Sequence, residues 1–206
     1  RMVYFNSDGL VSSFCGNGSM CCAHFASSLN SAGQKSIYSG NFDTNEGLFS
    51  FEVDFKDNKV KVSLVEVQNI EIDNSGIFMN TGSPHYVVFK EHVNNINVNK
   101  EGAKIRYSKR FEKEGTNVTF VSCINQNISI RTYERGVEAE TLSCGTGAVA
   151  AALCASLKNL ILDSTVSIKT QGGDLKVSFN KKSDIFSNIY LQSRVEKNFE
   201  GILPKK

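Results

Sequence analysis

Apolar and polar residues alternate along much of the chain. Phe49-Ser50-Phe51-Glu52-Val53-Asp54-Phe55 switches at every position, and after Asp57-Asn58 the alternation returns in Val60, Val62 and Leu64. A period of two places one set of side chains on one face of a sheet, so this stretch predicts a half-buried hairpin. TVSIKTQGGDLKVSF, residues 165–179, repeats the design with Gly172-Gly173 at its turn. Further strands are expected near 86–89, 116–123, 128–134 and 188–195. RMVYFN at the start also reads as a strand, and the asparagine-rich NNINVNK, residues 94–100, reads as a surface loop. Two segments break the alternation and read as helices: residues 18–31, stopped near Gly33, and residues 147–160. Few helices among many strands predict an α+β fold in which each helix is wrapped by mostly antiparallel sheet.

The two helices are related. A displacement of 129 positions overlays Cys15 on Cys144, Gly16 on Gly145, Gly18 on Gly147, Ala23 on Ala152, Ala26 on Ala155, Ser27 on Ser156 and Asn30 on Asn159. Tyr4 overlays Tyr133 at the same offset, so the match reaches into the preceding segment. One strand, turn and helix unit therefore occurs twice, which implies two pseudosymmetric lobes facing one another. The expected division puts residues 1–64 in the first lobe, with 196–206 returning to it, and 65–195 in the second.

Each unit opens a helix just after a Cys-Gly-x-Gly run. The first amides of a helix lack intrahelical acceptors and sit at the positive end of the dipole, so each unit is an anion site. Gly16, Gly18, Gly145 and Gly147 carry no side chains that would keep a carboxylate from those amides. The same field favours thiolate over thiol and predicts that Cys15 and Cys144 ionise below their free pKa. Two such units face to face would hold one carboxylate with a sulfur on either side of the adjoining carbon. That arrangement suits proton removal from one face and delivery to the other.

Other uses of the six cysteines fit less well. A structural zinc site wants paired C-x₂-C spacing, which is absent, and only His24, His85 and His92 are available as other ligands. No metal and no cofactor are expected. Cys21, Cys22, Cys123 and Cys154 read as small apolar residues, and a Cys15 to Cys144 disulfide as an oxidised, inactive state. With 206 residues and 40% hydrophobic content the chain needs no staples, which fits a reduced, cytoplasmic setting. A net charge of +2, without basic runs interleaved with aromatics, argues against nucleic acid as a partner, and no apolar stretch is long enough to span a bilayer.

CGNG before a helix, GSPHYVVF (82–89), EGTNVTFV (114–121), YERGVEAETLSCGTGA (133–148) and the GG-x-L-x-V run at 172–177 together resemble, in order, the diaminopimelate epimerase family. The resemblance implies a cofactor-independent enzyme that interconverts LL- and meso-diaminopimelate for lysine and peptidoglycan synthesis. It implies Cys15 and Cys144 as acid/base thiols, with Glu134 and His85 completing the catalytic set by influencing which sulfur holds the proton. Gly16, Asn17, Gly145 and Thr146 would cradle the reacting carboxylate. Asn6, Asn117 and Arg135 would hold the far end of the substrate, with Ser83 and Glu134 also in contact. The planar fork of Arg135 suits a carboxylate.

Three departures from the family pattern stand out. Ser83 occupies a position where asparagine is common, which leaves room for a water. Met20 and His24 stand where arginines are usual. The family's upstream segment has no counterpart here, so relative to that pattern the sequence reads as truncated at its N-terminus. The partner is a small molecule, and a homodimer is compatible with the pattern. Two rival readings share the cysteine plan. Proline racemase and hydroxyproline epimerase act on substrates that would leave Arg135 and Asn117 little to bind, and a non-catalytic dithiol redox or binding protein would show no turnover.

Overall fold

The structure, a computed structural model, describes residues 1–6, 9–11, 14–30 and 36–202. Helix α1 (Gly16–Asn30) is followed by the antiparallel strands β1 (Ile37–Thr44), β2 (Gly47–Asp54) and β3 (Lys59–Ser63). The expected hairpin at 49–64 is β2 with β3. Its turn places Asn58 at φ 51, in the left-handed region that asparagine tolerates better than most residues. Next come β4 (Glu71–Ile72), β5 (Ile77–Asn80), β6 (Pro84–Phe89), α2 (Val98–Arg106), β7 (Asn117–Ile124), β8 (Asn127–Glu134) and β9 (Ala139–Thr141). Helix α3 (Gly145–Leu157) leads into β10 (Thr165–Thr170), β11 (Gly173–Lys182) and β12 (Ile185–Arg194).

Among the described residues the strands form one curved sheet in the order β1-β2-β3-β12-β11-β10-β8-β7-β6-β5-β4, with β9 on β8. All ladders are antiparallel except β6 with β7 and β8 with β10. β12 lies between β3 and β11, so the segments assigned to the two lobes share a continuous sheet. Val195 extends this tie by donating to the Asn58 carbonyl. Residues 203–206 of the expected return segment lie outside the described residues.

The helices differ in how far they are enclosed. Helix α3 is apolar on every side, and residues 145–155 are all buried. Its alanines 148, 150, 151, 152 and 155 let β5, β6, β7, β8, β10, β11 and β12 close around it. A helix without a polar face is stable in water only when surrounded in this way. Helix α1 instead buries a stripe of Gly16, Ser19, Met20, Ala23 and Ser27 against β2, β3 and β12, and exposes Cys21, Cys22, Phe25 and Leu29. Cys154 is buried as expected, but Cys21 and Cys22 are exposed, because their positions fall off the buried stripe. No helix among the described residues is long and apolar enough to cross a membrane.

Two expectations fail. The surface loop at 94–100 contains the start of α2: the Asn97 side chain accepts from the Lys100 amide as a cap, and Gly102 packs against the Tyr133 ring. RMVYFN forms no strand; Met2 donates to the Asp43 carbonyl, and Phe5 makes only an isolated bridge with Val11 across a local turn. The expected stop near Gly33 lies outside the described residues.

Candidate active site

The two sequence repeats build matching local structures. At the start of α1 the Gly18 amide donates to the Cys15 sulfur at 3.3 Å, and the Ser19 amide to the Cys15 carbonyl at 2.9 Å. At the start of α3 the Ala148 amide donates to the Cys144 carbonyl at 2.9 Å, while the Cys144 sulfur lies 3.6 Å from the Thr146 hydroxyl. Each cysteine thus caps its helix with its backbone oxygen, and Cys15 does so with its sulfur as well. The amides of Gly16, Gly145 and Thr146 fall outside these capping bonds and belong to residues lining a shared cavity of about 100 Å³.

Cys15 and Cys144 both line that cavity, as reduced thiols. So do Asn6, Gly16, Asn17, Ser83, Asn117, Glu134, Arg135, Gly145 and Thr146, all expected from the sequence. The helix starts meet directly. A methyl added at Gly16 would stand 3.3 Å from the Gly145 α-carbon, and one added at Gly145 would stand 3.3 Å from that of Gly16. Only glycine permits this approach. The Asn17 amide bridges the halves by donating to the Ser143 carbonyl at 3.0 Å.

The electrostatics depart from the expectation of depressed thiol pKa values. Burial pushes Cys15 up, and the Glu134 charge adds to the rise; amide bonds from Gly18 and Asn17 and the Tyr4 hydroxyl oppose it. Cys144 is buried and pushed up more strongly, first by burial and then by Glu134, against Thr146 and Gly147. Desolvation therefore outweighs the helix ends at both sulfurs. Glu134 itself is raised by burial. Thr141 donates to its carboxylate, which opposes that rise.

His85 does not line the cavity. Its ring is buried between Thr146 Oγ1, 2.8 Å from Nε2, and Thr119 Oγ1, 3.0 Å from Nδ1, and Thr132 continues the chain at 3.3 Å. Burial holds its pKa down to about 3, so the imidazole is neutral. It reaches Cys144 only through Thr146, whose hydroxyl lies 3.6 Å from the sulfur. Thr146 thus stands between the His85 ring and the Cys144 sulfur.

Asn117 is also largely engaged by protein. Its Nδ2 donates to Ser83 Oγ at 2.9 Å and to the Pro84 carbonyl at 2.8 Å, and its Oδ1 accepts from the Arg135 amide at 2.9 Å. It fixes Ser83 and Arg135 relative to each other. The Arg135 guanidinium donates to the Glu114 carbonyl at 2.8 Å, and burial together with nearby Arg106 lowers its pKa. Asn6 lies against Gly136, where an added methyl would fall 2.6 Å from Nδ2 and where φ is +87.

Tyr4, Phe14, Val137 and Ser143 line the cavity without having been singled out, and Thr141, outside the lining, donates to Glu134. The repeat gave a signal for Tyr4, through its overlay on Tyr133. The symmetry breaks there, however, since Tyr133 packs with Val98, Val118 and Phe120 in a separate cluster.

Known proteins resemble this chain in sequence and in fold. A family model described as diaminopimelate epimerase matches residues 77–191. The diaminopimelate epimerase of Flavobacterium psychrophilum is 42% identical, over 97% of this chain and 77% of that protein. That of Aquifex aeolicus is 41% identical, over 100% of this chain and 75% of its own length. Among solved structures, a probable proline racemase from Agrobacterium radiobacter K84 matches with TM-score 0.70 at 14% identity, covering 93% of this chain and 68% of the other. A PhzF-family phenazine biosynthesis protein from Bacillus anthracis matches with TM-score 0.67 at 14% identity, covering 94% and 77%. At that identity these two share the fold alone. The sequence identity extends across nearly the whole length and includes both cysteine-headed helices, and the chain belongs to the diaminopimelate epimerase family.

Proposed function

We propose that the chain interconverts LL- and meso-diaminopimelate without a cofactor, by exchanging protons between Cys15 and Cys144. The observation that carries this reading is the meeting of two cysteine-capped helix starts at one cavity. With the α-carbon between the sulfurs, one cysteine as thiolate takes the α-proton. The electron pair of the broken C–H bond spreads toward the carboxylate, and the opposite thiol then delivers its proton to the other face. The thiolate has become a thiol and the thiol a thiolate, so the same pair runs the reaction backwards.

Charge accumulating on the carboxylate is met by the amides of Gly16, Asn17, Gly145 and Thr146 and by the positive ends of α1 and α3. Glu134 suits the substrate's ammonium group. A cation bound there offsets the carboxylate charge that raises both thiols, so ionisation of a sulfur becomes easier once substrate is in place. Arg135 pairs with the far carboxylate, Asn6 and Ser83 bind the same end, and Asn117 holds the Arg135 backbone in register. A substrate lacking a second amino-acid end would offer these groups no carboxylate to bind. A reduced cytoplasmic setting keeps the two thiols apart as thiols.

The reading is tested in heavy water. LL-diaminopimelate should yield meso product carrying solvent deuterium at the inverted carbon, while substrate recovered early stays protonated, because each face has its own acid or base. Equal early labelling of both pools would mean a single base serves both faces and would defeat the two-thiol scheme.

A further inference from the structure

Leu191 sits in the middle of β12, fully buried, paired with Val62 of β3 on one side and Val177 of β11 on the other. It is thus on the strand that joins the two halves of the sheet. A methyl added at Gly16 would fall 2.9 Å from Leu191 Cδ2, and one added at Gly145 would fall 2.8 Å from the same atom. One methyl group of one side chain therefore lies against the first residue of both α1 and α3. Gly16 follows Cys15, and Gly145 follows Cys144, so this three-way contact is one peptide unit from each sulfur.

From this contact we propose that Leu191 is the spacer that sets the distance between the Cys15 and Cys144 sulfurs. Two helices meeting glycine to glycine have no side chains of their own to fix their separation, and a close-packed interior passes a change in one wedge directly to the backbones it touches. The leucine fills the space below the glycine contact, so its volume decides how far the helix starts can close. Transfer of a proton to and from one carbon requires both sulfurs within reach of it, and a misplacement of about 1 Å can lower a rate by about 10²-fold. The consequence for catalysis rests on the two-thiol reading above; the consequence for sulfur spacing does not.

The test compares Leu191→Ala and Leu191→Phe with Ile189→Ala. Ile189 is a buried residue of the same strand and serves as a control for lost core packing. Each folded protein is treated with diamide, which accepts two electrons and two protons as the thiols join in one S–S bond. The rate at which the Cys15 and Cys144 peptides become linked is followed by mass spectrometry, and turnover and thermal unfolding are measured in parallel. Leu191→Ala should link several-fold faster than the parent and Leu191→Phe several-fold slower, with kcat lower in both by about 10²-fold. Ile189→Ala should keep the parental linking rate and kcat despite reduced stability. If Leu191→Ala does not fold, Leu191→Met, with its looser chain, should shift the linking rate in the same direction as alanine would. Leu191 variants that match Ile189→Ala in both readouts would overturn the spacer role. Linking rates that diverge as stated, in proteins that include an inactive parent, would uphold the spacer and reject the proposed function.

Discussion

Replacing Gly145 by alanine adds one methyl at the point where the helix starts meet. That methyl would stand 2.8 Å from Leu191 Cδ2, 3.3 Å from Asn17 Oδ1 and 3.3 Å from the Gly16 α-carbon. Carbon atoms rest at about 3.5–4.0 Å, so the leucine must retreat by roughly 1 Å and the Gly16 backbone by a few tenths of an ångström. Leu191 has little freedom to retreat, being fully buried between β3 and β11, and Gly16 is backbone at the opposing helix start. Alanine's better helix propensity offsets at most about 1 kcal/mol, while overpacking of this kind costs about 1–3 kcal/mol. The net effect on stability should be small, about 0–2 kcal/mol. The effect on catalysis should be large, because the strain is relieved by parting the helix starts that carry the sulfurs. We expect kcat to fall by about 10²-fold with a much smaller change in KM. Epimerisation followed by solvent deuterium incorporation, alongside thermal unfolding, measures both quantities. A Gly145→Ala protein with parental kcat would refute the view that the glycine contact fixes the geometry of the site.

Two further outcomes follow from the electrostatics. The Glu134 charge raises the pKa of both Cys15 and Cys144, so Glu134→Gln should move the basic limb of the kcat/KM profile to lower pH while reducing kcat; a limb that stays in place would show that the carboxylate does not act on the thiols. His85 is held at about 3 in the folded protein, below its ordinary value of 6.5. Its contribution to stability is therefore fully present above about 6.5 and lost as pH falls from there toward 3. Denaturant midpoints taken across that window should fall less steeply for His85→Gln than for the parent, and equal slopes would contradict burial of a neutral imidazole.

How much of this was legible in the chain depended on the range of the interactions involved. β2, β3, β10 and β11 carry strict alternation because one face of each is buried, and they were visible. β1, IYSGNFDT, has no fully buried position and mixes glycine, asparagine and aspartate into its pattern, while β4, β5 and β9 are only two to four residues long. Helix α2, VNKEGAKIR, has little apolar content, and it is held by the Asn97 cap and by Tyr133 on a strand distant in sequence. The cysteines and glycines were legible from the repeat itself. Glu134, Arg135, Ser83, Asn6 and Asn117 could be singled out only through family resemblance. Tyr4 was marked only by its overlay on Tyr133, and Thr141 and Leu191 could not be singled out at all, because their roles are contacts between segments that come together only after folding.

The repeat supplies the two sulfurs with equivalent backbones but unequal surroundings. The backbone capping bonds correspond, Ser19 to the Cys15 carbonyl and Ala148 to the Cys144 carbonyl, so the two helix starts share one backbone arrangement. The side chains do not correspond. Cys15 is half-buried with the Tyr4 hydroxyl opposing the rise in its pKa, whereas Cys144 is buried beside Thr146 and is raised further by the Glu134 charge. Ionising Cys144 places a second negative charge near Glu134 at a buried sulfur, while Cys15 ionises at a half-buried one. A reaction of this type needs one sulfur charged and its partner protonated at the same moment, and two sites of identical proton affinity would select neither arrangement. On the two-thiol scheme proposed above, the matched backbones would serve both faces of the substrate, and the mismatched side chains would decide which sulfur yields its proton first.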